Sequence, residues 1–158
     1  MGGCLCQPPC SFIPHLVPSE VHERLQISGM SKREYVALAA RPRSASVQAA
    51  TGFTKGSYTA NPSILSNTYF QALLNDSWQV INTTGSPVEY TTGTLFMMPT
   101  DLNLRWQPDY KAIAEEFAED NLLFLSEFAS AWTKLILTDL RALWKTSVQT
   151  HFPTLSEA

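Results

Sequence analysis

The side chains best equipped for chemistry are few and scattered. Cys4, Cys6 and Cys10 crowd the first ten positions, with His15 close behind. Thiolates and imidazole are zinc ligands. A C-x-C-x3-C spacing stiffened by Pro8, Pro9 and Pro14 is a poor ligand frame, however, and an odd number of cysteines does not make a disulfide framework. Free thiols in an unfolded lead-in are the plainer reading. Gly2 beside Cys4 raises dual acylation, but Cys6 stands where the myristoylation pattern wants Ser or Thr. His15, His22 and His151 lie far apart and read as surface histidines. Glu115, Glu116, Glu119 and Asp120 read as one solvated helix face. Asn75 and Asn82 head glycosylation sequons that read as chance occurrences. The phosphate-cradling, dinucleotide, zincin and nucleophile-elbow patterns are absent.

The elements that would position any site are easier to read. Residues 1–19 form a Pro- and Cys-rich lead-in, residues 20–136 the folded unit, and residues 137–158 an atypical helical or disordered tail. Residues 20–40 read as helical. Ser31 and Glu34 make a capping box ahead of Tyr35, Val36 and Leu38, and Pro42 stops that helix near Arg41. Residues 41–63 are rich in Ser, Thr, Gly and Ala and read as a long loop. Leu65, Tyr69, Phe70, Leu73 and Leu74 set an apolar stripe that predicts a helix over Ile64–Asp76. Trp78–Ile81 and Val88–Thr91 are spaced to pair as a hairpin. Pro99 is expected to break the chain before Asp101. Pro108 suits the first turn of a helix reaching about Glu119. Asp120 or Asn121 then caps a long helix with Leu122, Leu125, Phe128, Ala129, Trp132 and Leu135 inward. The expected class is mainly α with one small β-hairpin.

Composition narrows the function. With 158 residues, 44% apolar and 16% charged, the chain suits one folded domain. A net charge of −3 argues against a generic nucleic-acid binder, since phosphates reward a basic face. Apolar runs as short as Leu122–Leu125 are far below the ~20 residues of a membrane-spanning helix. No apolar export region follows Met1, so an intracellular location is expected.

Four segments, in order, carry a family resemblance over roughly residues 29–136. Met30–Leu38 (MSKREYVAL) is similar to the helix preceding the proximal histidine of class I haem peroxidases, the group that includes cytochrome c peroxidase, ascorbate peroxidase and catalase-peroxidase. Ser66–Leu74 (SNTYFQALL) resembles their N-x-[YF]-[YF]-x-x-L-L helix. Leu95–Pro108 (LFMMPTDLNLRWQP) resembles their proximal-side M-x-x-T-D-x-x-L-x-x-D-P signature, with Gln107 where the pattern has Asp; Tyr110 and a helix over Ala112–Ala118 follow as in the family. Phe128–Leu135 (FASAWTKL) is similar to the end of catalase-peroxidase domains.

The resemblance implies the C-terminal, proximal half of a haem-peroxidase-like helical fold. In that family the iron of haem b is held by a histidine soon after the V-A-L helix. Here Arg43 falls at or next to that position, preceded by Pro42. A guanidinium offers no lone pair to iron. The family's aspartate, which accepts a hydrogen bond from the proximal imidazole, corresponds to Asp101. Tyr58 falls near the place of the tryptophan that the family often sets against that histidine. The distal R-x-x-[WF]-H helix has no counterpart. The expectation is thus a peroxidase-family fragment that binds no haem and reduces no hydrogen peroxide by itself, with Arg43 pairing with Asp101 in the vacated pocket. A missing distal half or a second copy is the expected partner. Two other readings stand beside it. One is a working peroxidase ligated by His15 or His22. The other is a non-catalytic helical module, like the haem-free C-terminal domain of catalase-peroxidases, presenting Phe124, Phe128, Trp132 and Trp144.

Overall fold

A computed structural model describes residues 29–43, 56–81 and 88–151, with side chains described as far as Thr138. The lead-in with its cysteines, His15 and His22, the segment 44–55 and the sequon at Asn82 lie outside the described residues. Five helices are seen there: α1 (Lys32–Ala39), α2 (Thr68–Asn75), α3 (Pro99–Trp106), α4 (Pro108–Glu119) and α5 (Asn121–His151). A small antiparallel sheet, β1 (Gln79–Ile81), β2 (Glu89–Thr91) and β3 (Phe96–Met97), lies between α2 and α3 in the chain.

Most of these elements start and stop for local reasons. Ser31 Oγ accepts from the Glu34 N–H and Glu34 returns the bond to the Ser31 N–H, the reciprocal cap read from the sequence. The helix ends at Ala40, two residues before Pro42. Pro99 does not break the chain as expected: it occupies the first position of α3, where its missing N–H costs no helical bond. Pro108 opens α4 in the same way. Asp120 Oδ1 accepts from the N–H groups of Leu122 and Leu123 and so caps α5. The helix expected from Ile64 begins only at Thr68, because residues 61–67 form turns and bends that keep Leu65 against the core without helical backbone. The hairpin forms with Val80 opposite Tyr90. A third strand extends it through Tyr90 and Met97, and Gly93, at φ +100°, makes the tight return.

The core is an aromatic column. Phe70 of α2 is fully buried and meets Tyr69, Phe117 and Phe124 at ring-centroid distances of 5.0, 5.4 and 5.3 Å. Tyr58 extends the column beyond Tyr69, at 5.7 Å. Phe128 and Trp132 extend it along α5, at 5.9 and 5.8 Å. The inward face of α5 differs from expectation: Phe124 and Ala131 are fully buried, whereas Leu122, Ala129 and Trp132 are exposed. The continuous apolar run Leu122–Leu125 leaves the helical phase ambiguous, and packing on α1 and α2 selects Phe124.

Charge fastens α1 across the bundle. Lys32 pairs with Asp109, and Arg33 bridges Glu116 at 2.7 Å and Glu127 at 2.9 Å while lying 4.9 Å over the Phe117 ring. Glu34 meets Lys134 at 2.8 Å. Glu115, Glu116, Glu119 and Asp120 are exposed as expected, with Glu116 engaged by Arg33. Among the described residues no helix is long and apolar enough to cross a membrane.

Candidate functional site: the Asp101 cluster

Asp101 stands at the third position of α3, in the first turn of the helix. A carboxylate there can reach back to the unpaired N–H groups of the helix start. Its Oδ2 accepts from the Met98 N–H at 2.9 Å. The other oxygen faces α2, where the Tyr69 hydroxyl donates to Oδ1 at 2.8 Å. Asp101 is 4% exposed and Tyr69 1%. Tyr69 reaches this place because Phe70, its neighbour on α2, is anchored among the rings of α4 and α5. The start of α2 is tied as well: Asn67 donates its side-chain amide to the Ala118 carbonyl at 2.8 Å, and its own N–H goes to Asn121 Oδ1 at 2.9 Å. At the other end Arg105 of α3 donates to the carbonyls of Leu73 and Asp76, at 3.2 and 2.8 Å. These bonds fix α2 against α3 and so fix Tyr69 against Asp101.

The three residues singled out in the sequence converge on this place. Tyr58 is 2% exposed and packs on Tyr69. The Arg43 guanidinium, also buried, lies 5.6 Å over the Tyr58 ring and donates to Met98 Sδ at 3.4 Å. The expected Arg43–Asp101 ion pair is not formed among the described residues. Arg43 lies against Tyr58 and Met98 instead, while the Asp101 oxygens accept from Tyr69 and the Met98 N–H. The cation whose charge acts on Asp101 is Arg41, which sequence reasoning did not select. Tyr69 and Met98 were also missed, since their roles arise only when α2 meets α3.

Electrostatics follow from burial. Loss of water raises the Asp101 carboxyl above the ordinary carboxylate range, and the Met98 N–H, the Tyr69 hydroxyl and the Arg41 charge pull it part of the way back. Burial and the neighbouring carboxylate push the Tyr58 and Tyr69 phenols well above their usual range, so both stay protonated at neutral pH. The Tyr58 hydroxyl has no hydrogen-bond partner of good geometry, although it lies within electrostatic reach of Asp101. Asn103, one turn along α3, is 3% exposed and leaves both amide atoms unpaired.

The donor set does not match a histidine-ligated iron. No histidine occurs between His22 and His151, so residues 23–150 offer no imidazole at all. Arg43 offers no lone pair to a metal, and both phenols are held protonated. Among the described residues no three His, Cys, Asp or Glu side chains gather as metal ligands.

No family model matches the chain. Curated proteins do. A mitochondrial cytochrome c peroxidase of Cryptococcus neoformans is 33% identical over 133 residues, covering 81% of this chain and 35% of that protein. A mitochondrial cytochrome c peroxidase of Yarrowia lipolytica is 28% identical, covering 82% of this chain and 39% of that protein. A catalase-peroxidase of Polynucleobacter asymbioticus is 30% identical, covering 58% of this chain and 15% of that protein. The chain thus spans less than half the length of the curated relatives it matches. The order of its helices, its Asp101 signature and these identities together make the chain a relative of the class I haem peroxidases.

Proposed function

We propose that this chain is the proximal portion of a class I haem-peroxidase fold and does not reduce hydrogen peroxide by itself. The observation that carries the reading is at residues 41–43. The chain leaves α1 as Arg41-Pro42-Arg43 where the family resemblance calls for an iron-binding histidine, while Asp101 is kept. The haem of the parent family therefore has an aspartate here but no imidazole beside it. The distal base and cation that drive O–O cleavage have no counterpart in this sequence either.

The test is peroxide turnover by the purified chain with added hemin and either reduced cytochrome c or a small phenol as electron donor. The expected rate equals that of hemin alone. Saturable turnover above that level contradicts the proposal. If such turnover were lost on His15→Ala or His22→Ala, ligation from the lead-in would be the better account.

A second reading is supported by α5. Trp132 and Ile136 are one turn apart, Leu137 adjoins them, and all are exposed, by 43%, 44% and 48%. This stripe favours a non-catalytic helical module that associates with a distal half or with a second copy. A species that stays monomeric in size-exclusion chromatography across a wide concentration range, and gains no stability from a distal-half polypeptide, speaks against that reading.

A further inference from the structure

We infer that the outward face of α5 is a dimerisation surface, on which a second copy of this chain lays the same helix. The inference names the occupant of the α5 stripe and rests on the reading of that helix as an associating module. Helix α5 has two apolar faces. Phe124, Phe128 and Ala131, at spacings of four and three, face the bundle. Leu122, Leu125, Ala129, Trp132 and Ile136 follow one another at spacings of three, four, three and four, with Leu125 half-buried and the other four exposed. Leu122 is 78% exposed. One apolar stripe is enough to dock a surface helix, and a second marks a helix built to be covered on both sides. The alternation of three and four is the seam that packs knobs into the holes of another helix, so the complement of this face is itself helical.

Charge selects a second copy as that helix. Between Asn121 and Thr138 the charged residues are Glu127 and Lys134 alone, and α1 engages both, through Arg33 at 2.9 Å and Glu34 at 2.8 Å. The outward face carries Ser126, Ser130 and Thr133 beside the apolar stripe. Helix α4 shows what a solvated face looks like in the same protein, with Lys111, Glu115, Glu116 and Glu119 exposed. A two-fold pair sets one face against its own copy, so a charge near the axis would meet its like. A face without charge meets itself freely, and depletion of charge marks the centre of an interface. Trp132 supplies an anchor. Its ring stacks on Phe128 at 5.8 Å and 10°, which holds it in place before association, and tryptophan is prominent among residues that dominate such contacts. The 31 residues of α5 span about 46 Å, and a strip about 10 Å wide along them is a footprint of roughly 460 Å² per copy. Two such strips come close to the ~1,000 Å² in total that a specific interface needs, which predicts a reversible dimer and not an obligate one.

The test is sedimentation equilibrium of the full chain over a wide concentration range. The expected result is a monomer–dimer equilibrium that stops at two copies. Leu122→Glu and Ile136→Glu each put a charge on the outward face, and each should weaken the dimer by about tenfold or more in dissociation constant. Their far-ultraviolet circular dichroism should match wild type, because both side chains lie outside the bundle. Val80→Glu is the control: Val80 is 60% exposed on β1, and a charge there should leave the dimer unchanged. A chain that is monomeric throughout, or that grows into larger open assemblies, overturns the inference. So does a dimer that survives both α5 variants, or one that dissociates equally in Val80→Glu. The distal half of the Cryptococcus neoformans relative, added to the chain, separates this inference from the reading beneath it. A monomer that binds that polypeptide through α5 overturns the second copy as occupant and leaves the associating module standing. A monomer that binds neither removes both.

Discussion

Phe70→Ala is the most informative single change to the scaffold. Phe70 is fully buried on α2, and its ring touches Tyr69 on its own helix, Phe117 on α4 and Phe124 on α5. Truncation to a methyl group removes buried apolar surface and leaves a cavity that the neighbouring rings fill only in part. Phe-to-Ala changes in cores cost about 3–5 kcal/mol. Aromatic pairs contribute about 0.5–1.5 kcal/mol each beyond area, and three such contacts place this site in the upper part of that range. A domain holds only about 5–15 kcal/mol in all, so a third or more of its stability would go. Urea unfolding followed by circular dichroism measures it, with Phe70→Leu as the control expected to lose roughly 1–1.5 kcal/mol. The loss should travel to the Asp101 cluster, because Tyr69 adjoins Phe70 and depends on α2 being held. A loss below about 1 kcal/mol for Phe70→Ala would show that these rings do not carry the core, and the account of how Tyr69 is positioned would fall with it.

Further outcomes follow from other parts of the structure. The Asp101 carboxyl is raised by burial, so the folded chain keeps its proton where the unfolded chain has released it; stability supplied by this group therefore falls as pH rises from about 4 through its raised value, and urea midpoints for Asp101→Asn should lack that component. At Gly56 an added Cβ would run into the Phe96 ring beside the Ser57–Leu95 bridge, so Gly56→Ala should cost about 1–3 kcal/mol in the same assay, and a neutral result would place Phe96 elsewhere. Arg33→Ala removes one guanidinium from Glu116, Glu127 and the Phe117 ring together; the expected loss is about 1–2 kcal/mol at low salt and less at high salt, and salt-independence would contradict the electrostatic share.

Legibility in the sequence followed the range of the interaction. The cap at Ser31 and Glu34, the Pro108 start of α4 and the hairpin strands depend on neighbours a few residues apart, and all are read correctly from the chain. Pro99 was misread because proline both breaks a helix and opens one, and only the following turn shows which. The two-residue strand β3 is too short to show alternation. Leu122 looked inward because a run of four apolar residues fixes no helical phase. The site divides in the same way. Asp101, Tyr58 and Arg43 could be named from motif spacing, and they do lie together. Tyr69 could not be named, since its hydroxyl acquires meaning only when a residue 32 positions away arrives beside it. The expected partner of Asp101 was wrong for the same reason: charge suggested Arg43, whereas the geometry of α2 supplied a phenol first.

The most direct measurement of the central claim is the electronic and paramagnetic spectrum of hemin mixed in equimolar amount with the full chain. The account predicts the spectrum of free or nonspecifically associated hemin, without nitrogen ligation from the protein. A stoichiometric complex with imidazole-type coordination of the iron would contradict it.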